Sequence, residues 1–106
     1  MFTIIFPVLN ERLRLESGVT RTVEYLQSIA FEDYEIIIVD NGSEDETPQI
    51  AEKLCKKYDK VRYERINVRG VGAAFRRGVE VSHGDVVGYM DIDLSTNIRH
   101  LGEAIH

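Results

Sequence analysis

Two aspartates, Asp91 and Asp93, stand one residue apart at the end of an apolar run that covers residues 86–90. A second apolar run, residues 34–39, ends in a similar way at Asp40. In an open parallel sheet, ligands bind just beyond the carboxyl ends of the strands. Carboxylates placed there can hold a divalent cation and, through the cation, a diphosphate. The pattern therefore predicts one site that is built from several strand ends.

The aspartate pair has two interpretations. Side chains two residues apart in a strand point the same way, so Asp91 and Asp93 could share a cation, or one could bind the metal and the other a sugar hydroxyl. Alternatively, both could cap a following helix, because Ser95, Thr96 and Asn97 are also cap-forming residues. We favour the functional interpretation, since two like charges at a buried strand end repel each other without a cation.

Two other polar segments are less specific. The segment Asp40–Ser43 consists of common turn residues, and only its place after a fully buried strand favours a function. Gly70 and Gly72 open a predicted helix, whose N-terminus favours phosphate. The dinucleotide-binding fingerprint fails there, because Phe75 occupies the position of its last glycine. Arg69 could neutralise a diphosphate, or it could be a solvated turn residue.

Composition limits the class of protein. The chain has 106 residues, with 43% hydrophobic and 29% charged residues, as in an ordinary globular domain. The formal net charge of −5 argues against a general nucleic-acid binder. The single cysteine, Cys55, cannot form an internal disulfide, which fits a reducing cytoplasm. No apolar stretch approaches the roughly 20 residues of a membrane span. We therefore expect a cytoplasmic domain that binds no nucleic acid.

Apolar runs alternate with helical patterns along the chain. The predicted strands cover about residues 2–8, 34–39, 61–66 and 86–90, and the predicted helices include about 17–30, 71–82 and 97–105. A further helix is predicted to begin at Thr47. The third strand is weaker and suits a sheet edge. The repeat predicts a single α/β domain over residues 1–106, with a Rossmann-like parallel sheet and helices on both faces.

Three helices carry more detailed predictions. Thr47 has the character of an N-cap for the second helix. The third helix is predicted to bury Phe75, Val79 and Ser82 on one face, and Gly78 is predicted to allow close packing. The first helix is predicted to bury a stripe that ends at Ala30.

Five segments, taken in order, resemble a known family. They are Phe6–Glu11, Ile38–Ser43, Asn67–Ala74, Gly84–Asp85 and Met90–Ser95. The resemblance is to family 2 glycosyltransferases of the GT-A fold, above all their dolichyl-phosphate glucosyl- and mannosyltransferase branch. It covers nearly the whole chain. It implies an enzyme that carries out inverting glycosyl transfer from a UDP- or GDP-sugar to a polyprenyl phosphate or glycan acceptor. It is consistent with a peripheral position at the cytoplasmic face of a membrane.

The resemblance also implies roles for individual residues. Pro7, Leu9 and Glu11 would line the nucleoside pocket. Asp40 would accept hydrogen bonds from the base or the ribose.

For the diphosphate, the resemblance implies a second group of residues. Arg69 and the turn around Gly70 would approach the diphosphate. Asp91 and Asp93 match the Asp-x-Asp motif, which holds Mn²⁺ or Mg²⁺ together with the diphosphate of the donor.

The chain departs from the family pattern in three respects. Leu9 stands where many relatives have an aromatic residue, and Asn41 stands where many have a second aspartate. The chain also ends soon after the Asp-x-Asp motif. The resemblance then implies a donor-binding half, with the acceptor site and the catalytic base expected beyond His106. We also expect self-association through the exposed edge of a truncated sheet.

Two alternatives remain open at this point. The pattern Asp91-x-Asp93-x-Ser95 after an apolar strand is similar to the nucleophile motif of haloacid-dehalogenase-like phosphohydrolases, although that family has the motif on its first strand. The other alternative is a catalytically silent nucleotide-binding module.

Overall fold

The computed structural model describes residues 1–68 and 70–92, except for the side chain of residue 71. Its elements are β1 (Phe2–Val8), α1 (Leu15–Ser28), β2 (Tyr34–Asp40), α2 (Thr47–Lys57), β3 (Val61–Arg65), α3 (Val71–Val81) and β4 (Val86–Tyr89). The strands form one parallel sheet in the order β3-β2-β1-β4. The predicted α/β class and the edge position of the third strand are confirmed. The helix predicted near residues 97–105 lies outside the described residues.

The two central strands are apolar because both of their faces are covered. Every residue of β2 is buried, as expected for a parallel strand between two helical layers. Along β1, Ile4 and Phe6 belong to the larger core cluster beneath α1 and α2, whereas Ile5 belongs to a smaller cluster beneath α3. Successive side chains of β1 point to opposite faces of the sheet, so one apolar run contributes side chains to two separate cores. Among the described residues, no helix is both long and apolar enough to cross a membrane.

The buried face of α3 differs from the prediction. Phe75 and Val79 are 40% and 41% exposed, and the buried residues described in this helix are Ala74 and Gly78. A Cβ added to Gly78 would lie 2.5 Å from the Cδ1 atom of Ile5. Small residues let α3 approach the sheet closely, so the predicted close packing at Gly78 is confirmed. The larger apolar side chains are rotated out of the contact, so the predicted burial of Phe75 and Val79 is wrong, and Ser82 is only half-buried.

The end of α1 also differs from the prediction. The helix ends at Ser28, and Ala30 is exposed with a left-handed φ of 56°. The Phe31 N–H returns to the Leu26 carbonyl at 2.9 Å, which closes the helix with a turn. Reversal of the chain toward β2 therefore removes Ala30 from the buried stripe.

Candidate functional site

The loops that follow β1 and β2 are joined to each other by hydrogen bonds. The Asn10 N–H donates to Ser43 Oγ at 2.8 Å, and the Glu44 N–H donates to Asn10 Oδ1 at 2.9 Å. The Glu11 N–H donates to Thr47 Oγ1 at 2.9 Å. Because polar side chains of each loop satisfy backbone groups of the other, the two loops form one rim at the carboxyl end of the sheet.

Helix α2 begins at Thr47, so the prediction that Thr47 is its N-cap is wrong by one position. The Asp45 side chain satisfies a backbone group at the start of the helix, because its Oδ1 accepts from the Thr47 N–H at 2.8 Å. Asp45 Oδ2 also accepts from the Arg12 N–H at 3.3 Å. Desolvation raises the pKa of the Asp45 carboxyl, but the hydrogen bonds with Thr47 and Arg12 outweigh it and leave the pKa lowered. The Thr47 hydroxyl oxygen accepts from the Glu11 N–H and so joins the helix start to the β1 loop.

Asp40 is fully buried, and its carboxylate accepts four hydrogen bonds. Oδ1 accepts from the N–H groups of Gly42 and Ser43, at 3.1 and 2.7 Å. Oδ2 accepts from the Tyr63 hydroxyl at 2.7 Å and from Arg65 Nη1 at 3.4 Å. These bonds occupy the acceptor capacity of a carboxylate. Asp40 thus shapes the loop after β2, and its role toward a base or ribose stays a prediction.

The end of β3 reinforces this arrangement. Burial, followed by the hydrogen bond to Asp40, raises the pKa of Tyr63 to about 12. Arg65 also donates from Nη2 to the Ser43 carbonyl at 3.0 Å. The phenol therefore stays a hydrogen-bond donor over the physiological pH range, and the arginine compensates the buried carboxylate.

The next residue, Asn41, differs from Asp40 in what its side chain contacts. Asn41 is 7% exposed, and its Oδ1 atom has no hydrogen-bond partner among the described residues. Its backbone N–H donates to the Val8 carbonyl at 2.9 Å, which fixes the residue beside the end of β1. Buried polar atoms without partners are rare, and each invites an explanation. The sequence marked Asn41 only as a departure from a pattern, because burial and missing partners are visible only in three dimensions.

The three residues predicted to line a nucleoside pocket lie at this same end of the sheet. Pro7 is half-buried on β1, opposite Val39 of β2, and Leu9 is exposed just beyond the strand. Glu11 is partly buried, and its carboxylate accepts from Arg14 Nη2 at 3.1 Å. The structure brings these three residues to one rim, and their contact with a nucleoside stays a prediction.

On the other side of β1, the end of β4 carries Asp91. The Met90 N–H donates to the Ile5 carbonyl at 3.0 Å, which continues the strand pairing by one residue. Met90 and Ile92 are buried, whereas Asp91 between them is exposed. Since β1 separates β2 from β4, the ends that carry Asn41 and Asp91 lie two strand spacings apart across the sheet, roughly 10 Å, and are offset by two residues along the strands.

Part of the predicted site cannot be placed. Asp93 and Arg69 lie outside the described residues. Within residues 1–68 and 70–92, no group of three or more His, Cys, Asp or Glu side chains is arranged to hold a metal ion.

Comparison with known proteins identifies the family. A profile described as glycosyl transferase family 2 matches residues 3–106. The chain belongs to this family. It is 38% identical over 105 residues to glycosyltransferase AglD of Haloferax volcanii, covering 97% of the chain and 17% of that protein. It is 39% identical over 101 residues to mouse dolichyl-phosphate beta-glucosyltransferase, covering 89% of the chain and 31% of that protein. The chain thus spans a third or less of the length of these curated relatives.

A solved structure supports the same assignment. Glucosyl-3-phosphoglycerate synthase from Mycobacterium tuberculosis, in complex with Mn²⁺, UDP and glucosyl-3-phosphoglycerate, superposes with a TM-score of 0.67 at 27% sequence identity. The match covers 88% of this chain and 33% of that one. The predicted resemblance, the GT-A fold and the assignment to an enzyme family are confirmed. The family match gives no support to a haloacid-dehalogenase-like phosphohydrolase, and the sheet carries Asp91 after its fourth strand in chain order.

Proposed function

We propose that this family 2 glycosyltransferase domain binds a nucleoside-diphosphate sugar and a divalent cation for inverting glycosyl transfer. The observation that carries the proposal is the pair of unused groups on the two sides of the β1 end. The buried Oδ1 of Asn41 has no partner among the described residues, and the Asp91 carboxylate is exposed. A buried acceptor suits an N–H or hydroxyl of a nucleoside, and an exposed carboxylate suits a cation.

The donor set fits Mn²⁺ or Mg²⁺. Both ions are bound by carboxylate oxygens, and Asp91 offers one carboxylate, with Asp93 two residues further along the chain. When bound, the cation would neutralise the negative charge that develops on the departing nucleoside diphosphate. The Mn²⁺ and UDP named for the Mycobacterium tuberculosis synthase support this choice.

The other protein groups have positioning roles in this proposal. Pro7, Leu9 and Glu11 line the nucleoside side of the rim, and Asp40 holds the loop that presents Asn41. Arg69 approaches the diphosphate.

The acceptor is proposed from the relatives. One curated relative is named a dolichyl-phosphate glucosyltransferase, which supports a polyprenyl phosphate acceptor, with a glycan as the second choice. Because a polyprenyl phosphate resides in a membrane, we propose that the domain acts at a membrane surface, on the cytoplasmic side.

The proposal is tested by calorimetric titration of UDP, GDP and their sugars into the chain, with and without Mn²⁺. We expect Mn²⁺-dependent binding that Asp93→Ala abolishes and Asp91→Ala weakens, because both carboxylates are cation ligands. Asp85→Ala is the matched control, since Asp85 is an exposed aspartate at the opposite end of β4. Unchanged metal-dependent affinity in Asp93→Ala would contradict the metal site.

The proposal includes self-association through the β4 edge. In the described part of the chain, β4 pairs only with β1, and Val86 and Tyr89 are exposed along it. The rings of Phe75 and Tyr89 pack with centroids 5.8 Å apart, beside the exposed Val79. An open strand edge next to an apolar patch favours pairing with a second copy. Sedimentation should detect a dimer or larger oligomer, and a clean monomer at high micromolar concentration would contradict this part.

A further inference from the structure

The fourth residue of α1, Gly18, lies in contact with the segment that carries the aspartates. A Cβ added to Gly18 would lie 2.7 Å from Ile92 Cδ1 and 2.8 Å from the Ile92 carbonyl oxygen. Real Cβ atoms essentially never approach other atoms so closely. Gly18 is buried, and glycine weakens a helix interior compared with alanine. The helix therefore carries glycine at this position because Ile92 fills the space of a side chain.

Ile92 links this contact to the candidate cation site. It is 5% exposed and belongs to the larger core cluster beneath α1 and α2. Its neighbours in the chain are Asp91 and Asp93. Since Ile92 is the buried neighbour of the candidate ligand Asp91, its depth against α1 sets where the backbone of Asp91 runs. Asp91 does not need to touch Gly18 for its position to depend on that contact.

The matched glycine of α3 shows what is particular about Gly18. At Gly78, the atoms within 3.0 Å of an added Cβ all belong to the Ile5 side chain, which can repack. At Gly18, one of the close atoms is the main-chain oxygen of Ile92. A main-chain atom can move only with its segment. An alanine at position 18 must therefore shift the backbone around Ile92, whereas an alanine at position 78 can be accommodated within the core.

We propose that Gly18 is a positioning residue for the donor site, because it holds Ile92 against α1 and so fixes the preceding residue, Asp91, for the cation. This inference depends on the proposed function, since it assigns a support to the same site. Residues that orient metal ligands without touching the metal commonly change metal affinity about 10–100-fold when they are replaced.

The test compares Gly18→Ala with Gly78→Ala in the 106-residue chain. The affinity for UDP and GDP in the presence of Mn²⁺ is measured by calorimetry, and the melting temperature is measured for each variant. We expect Gly18→Ala to weaken affinity about tenfold, as for other indirect supports of a metal site. Gly78→Ala should keep the affinity of the parent even if it melts earlier. In metal-free NMR spectra, the amide signals of Asp91 and Ile92 should move in Gly18→Ala and stay in place in Gly78→Ala.

A milder pair keeps the proposal testable if Gly18→Ala does not fold. Ile92→Val removes the Cδ1 methyl that packs on Gly18, and Ile5→Val removes the Cδ1 methyl that packs on Gly78. We expect only Ile92→Val to weaken binding in the presence of Mn²⁺ and to move the Asp91 amide signal.

The outcomes separate the two proposals. If the parent binds neither nucleotide with Mn²⁺, the proposed function is overturned and the positioning role falls with it. If the parent binds, but the Gly18 and Ile92 variants bind as tightly as the Gly78 and Ile5 variants, only the positioning role is overturned.

Discussion

Strand β2 carries a buried carboxylate near each end, and the two ends differ in what surrounds the carboxylate. At the amino end, Glu35 accepts from the Thr3 hydroxyl at 2.7 Å and from the His83 N–H at 2.5 Å, and it pairs with Arg62 Nη2 at 3.0 Å. At the carboxyl end, Asp40 accepts four hydrogen bonds from loop and strand groups. Each carboxylate is therefore compensated within the protein.

The amino end forms a closed structural network. Desolvation raises the pKa of Glu35, but the hydrogen bonds from His83 and Thr3 and the charge of Arg62 outweigh it and leave the pKa lowered. The Thr3 hydroxyl in turn accepts from the Gly84 N–H at 3.0 Å. Arg62 Nε has no hydrogen-bond partner among the described residues, but the same guanidinium already pairs with Glu35. The network ties three strands to the turn that leads into β4.

The carboxyl end is different because unused groups stand directly beside its compensated carboxylate. Asn41 follows Asp40 with a buried acceptor that no described group satisfies, and Asp91 is exposed across the end of β1. A buried carboxylate after an apolar run is thus not sufficient to mark a ligand site. The informative observation is the hydrogen-bonding and charge capacity that the fold leaves unused nearby.

The largest effects should come from removing the two carboxylates. Asp40→Ala and Glu35→Ala each leave several buried donors without an acceptor, so each should lower the free energy of unfolding by about 2–3 kcal/mol. Only Asp40→Ala should also weaken donor binding, by about tenfold, because Asp40 holds the loop that presents Asn41. Urea denaturation and calorimetry measure the two quantities. Equal loss of affinity in both variants would remove the distinction between the two ends.

Replacing Asn41 should separate stability from binding. Asn41→Leu removes a buried polar group that has no described partner and keeps a similar volume, so we expect unchanged or raised thermal stability. Donor affinity should fall about tenfold, because the nucleoside loses its acceptor. The control is Gln27→Leu, an exposed amide near the end of α1. A drop in stability with full affinity would show that Asn41 has only a structural role.

Acid should lower the stability of the protein through protonation of Glu35, near the amino end of β2. Its folded pKa lies below the ordinary value of 4.5, so the unfolded chain binds the proton more readily than the native protein. The stabilisation is therefore present above about pH 4.5 and is lost as the pH falls through the folded pKa. One proton changes the slope of stability by at most about 1.4 kcal/mol per pH unit. Glu35→Gln should show a flatter acid limb in denaturation experiments, and an identical limb would contradict this assignment.

The smallest effect should come from removing the Tyr63 hydroxyl, which donates a hydrogen bond to Asp40. Tyr63→Phe removes the hydroxyl that donates to Asp40 Oδ2, which should cost about 1 kcal/mol of stability. Tyr25→Phe is the control, because that hydroxyl makes no hydrogen bond within the described residues. In an absorbance titration, the Tyr63 phenol should ionise near its raised pKa of about 12. A phenol at that position that ionises near pH 10 would argue against the contact.

Local pattern was sufficient to predict the elements of the fold. The bounds of the four predicted strands agree with the structure within one residue, because apolar runs between turn residues report strands directly. The face of α3 was predicted wrongly, since hydrophobicity favours Phe75 and Val79 although close approach to the sheet requires the small residues Ala74 and Gly78. The start of α2 at Thr47 was predicted correctly, but the N-cap assignment was wrong by one residue, and the Thr47 hydroxyl accepts from a distant loop instead.

The sequence by itself determined the α/β repeat, the family and the aspartates that follow the apolar runs, because each of these depends on residue type and local spacing. Only the tertiary structure decided which polar groups are compensated and which are left available. Tyr63 and Arg65, which compensate Asp40, are distant from it in the chain, and so is Gly18 from Ile92, which packs against it. The unused acceptor of Asn41 likewise depends on which groups the fold brings near it. Hydrogen bonding, burial and steric fit act through space, so these properties exist only once the strands and helices have packed.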